Sequence, residues 1–517
     1  MPIRRHASSP WKPGVRRSSN WPRSWKRFST EPIAAAARSG GKHRSRPVDR
    51  PTSLVWLRND LRLSDNPALL AAAADGGRVV ALYIHETNEG VRAPGGAARW
   101  WQNQSLESLG QALGQKGILL IVRSGTAAEV LDRVIAEERV QSVHWNRRYA
   151  PGEREVDQQI KSDLRKRGLG VASHIGNMLA EPWTIATGQG KPYSVFSPFW
   201  KTLRDFRIEQ PLPAPRKLGE ALTATGYDRD YRAPKWSRKF EGQWAVGEAA
   251  GQKALHDFLD ERLEDYPEGR DFPGRDVTSR LSPHLRFGEI TARQVWYATQ
   301  ARMEADPEVR PHAEKFLSEL AWRDFSYHQL YHRRDIATVP MQEKYQGMRW
   351  HSDAKAEAAW QQGRTGIPII DAGMRELWQI GYMHNRVRML VASLLTKNLL
   401  IDWRHGERWF WDCLVDGDIA NNPASWQWVA GCGLDAAPYF RIFNPVTQGE
   451  RFDAAGDYVR KWVPELKDLP DKWVHDPASA PDAVLQEAGV FIGKTYPRPL
   501  VDLKTSRQRA LDRQGEL

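Results

Sequence analysis

The chain has 517 residues, an ordinary apolar content of 41% and a formal net charge of +12. At about 150 residues per domain that length calls for about three units or two large ones. No run approaches the ~18 uninterrupted apolar residues of a membrane span, and two cysteines, Cys413 and Cys432, exclude a disulfide framework or a cysteine zinc cluster. HExxH, paired CxxC and GxSxG motifs are absent, which demotes metal hydrolysis and serine acyl transfer.

Residues 1–50 hold 13 Lys and Arg against Glu31 and Asp49, a balance of +11, so the remaining 467 residues carry only +1. The first segment, residues 1–51, is rich in Arg, Ser, Pro and Gly without apolar periodicity, and is expected to be a disordered basic extension. Its composition resembles an organellar transit peptide, though Pro and Trp spoil an amphipathic helix. A non-functional extension, organellar targeting and a DNA-tethering tail all stay open. A nucleic-acid partner would have to be met by a local basic face, since the body is nearly neutral.

From Thr52 the pattern changes. Apolar runs LVWL (54–57), RVVALYI (78–84), GILLIV (117–122) and VQSVHW (140–145) alternate with helical stretches over 66–74, 97–113 and 127–138. Short continuous apolar strands in strict turn with helices predict a doubly wound parallel sheet covered on both faces, over residues 52–180. The turn after the first strand reads RNDLRLSDNPAL, without GxGxxG, so a Rossmann dinucleotide site is not expected there.

Residues 181–250 form a long connector broken by seven prolines between Pro182 and Pro234. It is expected to hold no regular element and to pack along a surface through its Trp and Phe residues. After it strand patterns disappear, and residues 251–517 are expected to be a helical domain, with segments over 253–263, 313–331, 373–379 and 384–397.

The helical half carries the least core-like sequence. DGDIANNPASWQW (416–428) sets Asp416 and Asp418 two apart, pairs Asn421 with Asn422 and flanks Gln427 with Trp426 and Trp428. A plain core would use Leu, Ile and Val. Upstream, Asn385, Arg388 and Met389 of MHNRVRM fall at i, i+3 and i+4, on one helix face. A buried amide left unpaired costs about 2 to 7 kcal/mol, so these groups need a polar ligand or acids. A structural ion pair between Arg388 and one aspartate is the alternative. TSRLS (278–282) reads as a helix N-cap or a phosphate cradle.

These motifs together resemble the photolyase and cryptochrome family, and most of all bacterial cyclobutane pyrimidine dimer photolyases. LVWLRNDLRLSDNPAL, RDFPGRDVTSRLSPHLRFGEI, ELAWRDF, TGIPIIDAGMRELWQIGYMHNRVRM, LLIDWRHGERWF, DGDIANNPASWQW and DAAPYFRIFNP occur in the family order from about Ser53 to the C-terminus. The resemblance implies an α/β antenna domain joined by a long linker to an all-helical FAD-binding domain. It implies a flavoenzyme in which light-excited reduced FAD donates an electron to a flipped dimer and splits it.

Carried over residue by residue, the resemblance places Tyr266, Thr278, Ser279, Arg280, Leu281, Ser282, Arg323, Arg388, Asp416, Asp418 and Asn422 at the FAD, with Asn422 facing flavin N5. Plant cryptochromes tend to place aspartate there, so Asn422 favours the repair branch. Glu319, Trp322, Asn385, Met389 and Trp428 match the lesion pocket, with Trp322 and Trp428 as flat walls. Glu319 would hydrogen-bond a pyrimidine carbonyl, best if burial keeps its carboxyl protonated. Met389, where (6-4) enzymes carry a histidine in this region, and the single His384 match the cyclobutane pattern. Trp350, Trp403 and Trp426 match the tryptophan chain that re-reduces the flavin, and Arg386 and Arg441 match positions that reach the DNA phosphates.

For the antenna the resemblance leads to methenyltetrahydrofolate, although Ala150 of NRRYAP stands where folate-binding relatives often have glutamate; deazaflavin or no antenna stays open. DNA containing pyrimidine dimers is the implied partner, met by a monomer in the cytoplasm, with no metal and no membrane. A signalling cryptochrome is the alternative, opposed by the short stretch of about 64 residues after YFRIFNPVTQGERFD.

Overall fold

The computed structural model describes residues 51–223, 231–333, 335–436, 438 and 441–517. The expected disorder of the basic extension therefore falls outside the described residues, apart from Pro51.

Five strands, β1 (Thr52–Leu57), β2 (Arg78–Glu86), β3 (Leu119–Gly125), β4 (Val140–Asn146) and β5 (Gly170–His174), form one parallel sheet in the order β3-β2-β1-β4-β5. Helices α1 (Pro67–Ala74), α2 (Gly96–Gln115), α3 (Ala127–Glu138) and α4 (Pro151–Lys166) cover it. The run LVWL shows why both faces must be covered. Leu54 and Trp56 pack with Leu131 of α3 and Ile160 of α4, while Val55 and Leu57 pack with Leu69 of α1 and Trp101 of α2. Strand β5 lies beyond the four apolar runs of the sequence: its GVASH residues are half-exposed at a sheet edge, so they need no apolar run.

The turn after β1 is a clamp between the two halves. Buried Arg62 donates to the carbonyls of Asp65, Gly176 and Gly288 and to the Asn177 side chain. Asp65 takes hydrogen bonds from Arg293 and Thr291. Gly288, at φ 63°, approaches so closely that a Cβ would lie 2.0 Å from the Asn59 carbonyl oxygen. The same residues that depart from a dinucleotide fingerprint thus hold the sheet against the helices.

The connector contains α5 (Phe196–Arg204), contrary to the expectation of no regular element. Pro198 falls in its first turn, where a missing N–H costs little. Helices then follow without a further strand among the described residues: α6 (Glu248–Glu261), α7 (Tyr266–Gly269), α8 (Ser282–Phe287), α9 (Ala292–Ala305), α10 (Arg310–His332), α11 (Ala354–Gln361), α12 (Pro368–Ile380), α13 (Asn385–Ser393), α14 (Trp403–Cys413), α15 (Asn421–Ala430), α16 (Pro445–Phe452), α17 (Asp457–Trp462), α18 (Asp482–Glu487) and α19 (Leu503–Gly515). The helical stretch expected over 384–397 is α13 followed by one π turn, Leu394–Asn398.

Among the described residues no helix is long and apolar enough to cross a membrane, and no cluster of His, Cys, Asp or Glu could hold a metal. Cys413 and Cys432 are free and buried, and burial pushes both thiols up to about 12.

Candidate active site

Asp416 sits in the turn between α14 and α15. It accepts from Arg388 Nη2 of α13 at 2.9 and 3.2 Å and from Ser282 Oγ, at the start of α8, at 2.6 Å. The ion pair open in the sequence therefore forms, and it joins three segments. Arg388 Nε also donates to the Met383 carbonyl at 2.7 Å, which fixes the guanidinium plane. Asp418 accepts from the Tyr327 hydroxyl at 2.7 Å, from the backbone N–H of Ala420 and Asn421, and from Asn421 Nδ2. Burial pushes its carboxyl up, but Arg286, Arg323 and these donors outweigh burial and hold it below the usual carboxylate range.

Around this core lies the TSRLS turn. Arg280 takes a left-handed backbone, φ 51°, and its guanidinium lies between the Trp244 and Tyr382 rings at 5.6 and 5.4 Å. Such a conformation is strained for arginine and persists only where the surrounding contacts hold it. Ser279 Oγ accepts from the Leu281 N–H at 3.4 Å, Leu281 is buried, and the Thr278 carbonyl accepts from Arg262 at 3.4 Å. Neither side-chain oxygen caps α8, so the N-cap reading does not hold. Tyr266 packs between Phe258 and Phe316, with its phenol pushed up by burial. Arg323 lies at the margin: it donates to the Asn177 carbonyl at 2.9 Å and pairs with Asp324, tying α10 to the sheet domain's exit.

Asn422 is buried one residue into α15. Its Nδ2 donates to the Glu407 carbonyl at 3.0 Å and to Glu407 Oε1 at 2.8 Å. Glu407, which sequence reasoning did not single out, is gripped from the other side by Arg92.

The residues that the resemblance assigns to the lesion pocket are less buried than Asp416, Asp418 and Asn422. Trp322 of α10 is half-buried and stacks on Phe196 of α5 with ring centroids 3.8 Å apart, so the connector builds part of the wall. Asn385 is exposed at the start of α13, and Met389 and Trp428 are half-buried. Glu319 hydrogen-bonds with Arg270 and accepts from Lys315 Nζ at 2.8 Å. This corrects the expectation of a protonated carboxyl: burial raises it, but Arg270 and Lys315 outweigh burial and hold it below its ordinary value. An ionised Glu319 accepts hydrogen bonds and suits a pyrimidine N–H, not a carbonyl. The neighbouring Asp271 pairs with Arg386 at 2.7 Å, so the Arg270–Asp271 pair holds both Glu319 and the first turn of α13.

His384 caps α13 by accepting from the Arg386 N–H through Nδ1. Burial lowers its pKa to about 4, so its proton sits on Nε2, a buried donor without a partner among the described residues.

Trp403 and Trp426 belong to one buried hydrophobic cluster, against which Trp350 packs. Trp426 lies directly on Gly406 of α14. Trp403, three residues earlier on the same helix, is fully buried. Trp350 is half-buried beside the bridge between His351 and Ile401, where the His351 N–H donates to the Leu400 carbonyl at 2.7 Å. Trp360, not anticipated, packs edge-on against Trp426 at 6.2 Å. Of the two arginines assigned to DNA, Arg441 is exposed, whereas Arg386 is half-buried, paired with Asp271 and laid over Phe452.

The donor set fits FAD. The cationic groups at hand are Arg280 in the TSRLS turn, Arg286 on the helix that follows it, and Arg388, which meets Ser282 through Asp416. Buried Arg286 Nη1, on the helix that opens with Ser282, has no hydrogen-bond partner among the described residues and is available to an anionic group. The antenna fits less well: position 150 is alanine, and the carboxyl three residues on, Glu153, turns back to the Ala150 N–H at 3.3 Å.

Residues 53–216 match the family model described as DNA photolyase, and residues 316–516 match the FAD binding domain of DNA photolyase. The chain is 46% identical over 469 residues to the deoxyribodipyrimidine photo-lyase of Agrobacterium fabrum, covering 89% of this chain and 96% of that protein. It is 36% identical over 480 residues to Cryptochrome-2 of Arabidopsis thaliana, covering 89% and 78%. A solved bacterial class III photolyase from Agrobacterium tumefaciens matches the fold with a TM-score of 0.87 at 44% identity, covering 92% of this chain and 99% of that one. The strained TSRLS turn and the Arg388–Asp416 pair thus stand in a chain that belongs to the DNA photolyase and cryptochrome family, and its helical half is that family's FAD-binding domain.

Proposed function

We propose that this protein is a light-dependent DNA-repair lyase that splits cyclobutane pyrimidine dimers as a monomer with FAD. The observation that carries the reading is that α13 bears both Arg388, in the polar cradle with Asp416 and Ser282, and Arg386, whose partner Asp271 adjoins the arginine that holds Glu319 ionised. The relatives named deoxyribodipyrimidine photo-lyase support the same activity.

FAD, when bound, supplies the photoexcited electron, and the flavin undergoes no net redox change. The chain's own residues do the rest. Arg280, Arg286 and Arg388 hold the diphosphate. Trp322 and Trp428 give flat walls for a dimer flipped out of the duplex, a step that costs a few kcal/mol and least at a distorted base pair. Glu319 accepts from a pyrimidine N–H, Asn385 supplies an exposed amide, and Met389 completes the wall without offering a proton. Trp426, Trp403 and Trp350 would serve outside the repair cycle, carrying electrons inward from the surface when the flavin has been oxidised. Methenyltetrahydrofolate is the antenna the resemblance leads to, but the residues at Ala150 and Glu153 do not supply its usual contact, and no step here depends on it.

The test is repair of a defined thymine dimer in duplex DNA by the photoreduced, FAD-loaded protein. Restored thymines under blue light and none in the dark are expected. Bound reduced FAD without repair would overturn the assignment in favour of a cryptochrome, and repair confined to single strands or to (6-4) lesions would redefine the substrate.

A further inference from the structure

Arg92 belongs to the sheet domain, in the loop between β2 and α2, yet its guanidinium ends on α14. Nη1 and Nη2 donate to Oε1 and Oε2 of Glu407 at 2.6 and 2.9 Å, and the plane covers the Trp411 ring at 3.8 Å. The loop is fastened on both sides of this contact. Trp411 Nε1 donates to the Ala93 carbonyl at 2.9 Å, the Gly96 N–H donates to Asp412 Oδ1 at 2.8 Å, and a Cβ on Gly95 would lie 2.0 Å from the Trp411 carbonyl oxygen. The Glu407 side chain is 2% exposed and that of Arg92 26%. The fork is therefore a sheltered, bidentate pair, the geometry in which arginine specifies orientation as well as charge.

On its inner side Glu407 faces Asn422. Both atoms that Asn422 meets there, the Glu407 carbonyl oxygen and Oε1, are acceptors. Only the NH2 end of an amide can face two acceptors, so chemistry fixes the orientation of Asn422 and turns Oδ1 the other way. Oδ1 has no partner among the described residues, and Asn422 stands where the family places flavin N5.

We infer that Arg92, acting through Glu407, is a positioning residue that presents the Asn422 carbonyl to flavin N5 as an acceptor for the N5–H of the reduced ring. The inference rests on the reading of Asn422 given above. Without the fork the Glu407 carboxyl is free to rotate away, Asn422 keeps one acceptor instead of two, and its amide can turn. The sheet domain thereby takes part in keeping the cofactor reduced, a role separate from light harvesting.

The experiment uses the full chain loaded with FAD and photoreduced, and reads the half-life of the reduced flavin in air in the dark, with FAD content measured alongside. Arg92→Gln is expected to shorten the half-life about tenfold, the scale of one lost charge-assisted hydrogen bond, at unchanged FAD content. Arg92→Lys, which keeps one charged donor, is expected to restore most of it. Asn422→Ser shortens the half-life by itself, and Arg92→Gln adds nothing in that background, because both act through the same amide. The proposal is overturned if Arg92→Gln keeps the parental half-life while Asn422→Ser loses it, or if the two effects add. An unchanged Asn422→Ser would instead remove the reading of Asn422 itself.

Discussion

Gly406 and Trp426 lie in direct contact: a Cβ on Gly406 would come within 2.1 Å of Cη2 of the indole. Glycine inside a helix costs about 0.5 to 1 kcal/mol relative to alanine, and here the cost admits the ring that links α15 to α14. Gly406→Ala is expected to destabilise the fold by about 1 to 3 kcal/mol through overpacking. It should also slow light-driven reduction of bound FAD by displacing Trp426 from the helix that carries Trp403. Urea unfolding and flavin photobleaching with an external donor check both, and parental photoreduction in a destabilised variant would remove Trp426 from the electron path.

The ionised state of Glu319 predicts a pH dependence. Arg270 and Lys315 hold its carboxyl below the ordinary value of 4.5 despite burial. A depressed acid contributes stability that is present above the unfolded pKa and is lost as pH falls through the folded one. Glu319→Gln removes that contribution, so its stability should fall less steeply than the parent's below about pH 4.5. Dimer affinity should drop about tenfold, the scale of one charged hydrogen bond. Denaturation curves from pH 3 to 7 and lesion-binding titrations are the measurements; parallel curves would mean that Glu319 is not held ionised.

Asp271 holds Arg386, the arginine that the resemblance assigns to a DNA phosphate. With the guanidinium paired at 2.7 Å, binding a phosphate requires exchange of partners. Asp271→Asn should release Arg386, strengthen binding to undamaged duplex and steepen the dependence of log K on log salt by about 0.9, the contribution of one phosphate contact. From the near-neutral body a parental slope magnitude of about 2 to 4 is expected. A steeper slope that disappears on deletion of residues 1–50 would assign the electrostatics to the basic extension.

The architecture was legible where burial is two-sided or strongly periodic. LVWL, apolar at four successive positions, could only be a strand covered on both faces, and the span of α3 was readable residue by residue. Strand β5 was not, because an edge strand packs little and leaves no apolar run. Asp416 and Arg388 could be paired from a polar pattern over 28 residues, whereas Arg92 and Glu407 are 315 apart and each looks like an ordinary surface charge in sequence. Glu319 shows the same limit. Its place at the lesion pocket came from the resemblance, but Arg270, which decides its charge, lies on a different element.

Lys397 is a buried basic side chain that the proposed chemistry does not use. It lies in the π turn after α13, and its Nζ donates to the Ala430 carbonyl, at the end of α15, at 2.8 Å. Burial lowers its pKa from 10.5 to about 7. Between those values the unfolded chain holds a proton that the folded chain does not, so this group makes stability rise with pH across that window. Below about 7 both states are charged and the fold bears the whole cost of the buried cation. Lys397→Met fills a similar volume without charge. The parent's stability relative to the variant should therefore improve by about 2 kcal/mol from pH 7 to pH 9, close to the limit of one proton over two pH units. Urea titrations at pH 6, 7, 8 and 9 check the slope, and equal pH dependence in the two proteins would mean that Lys397 keeps its proton inside the fold.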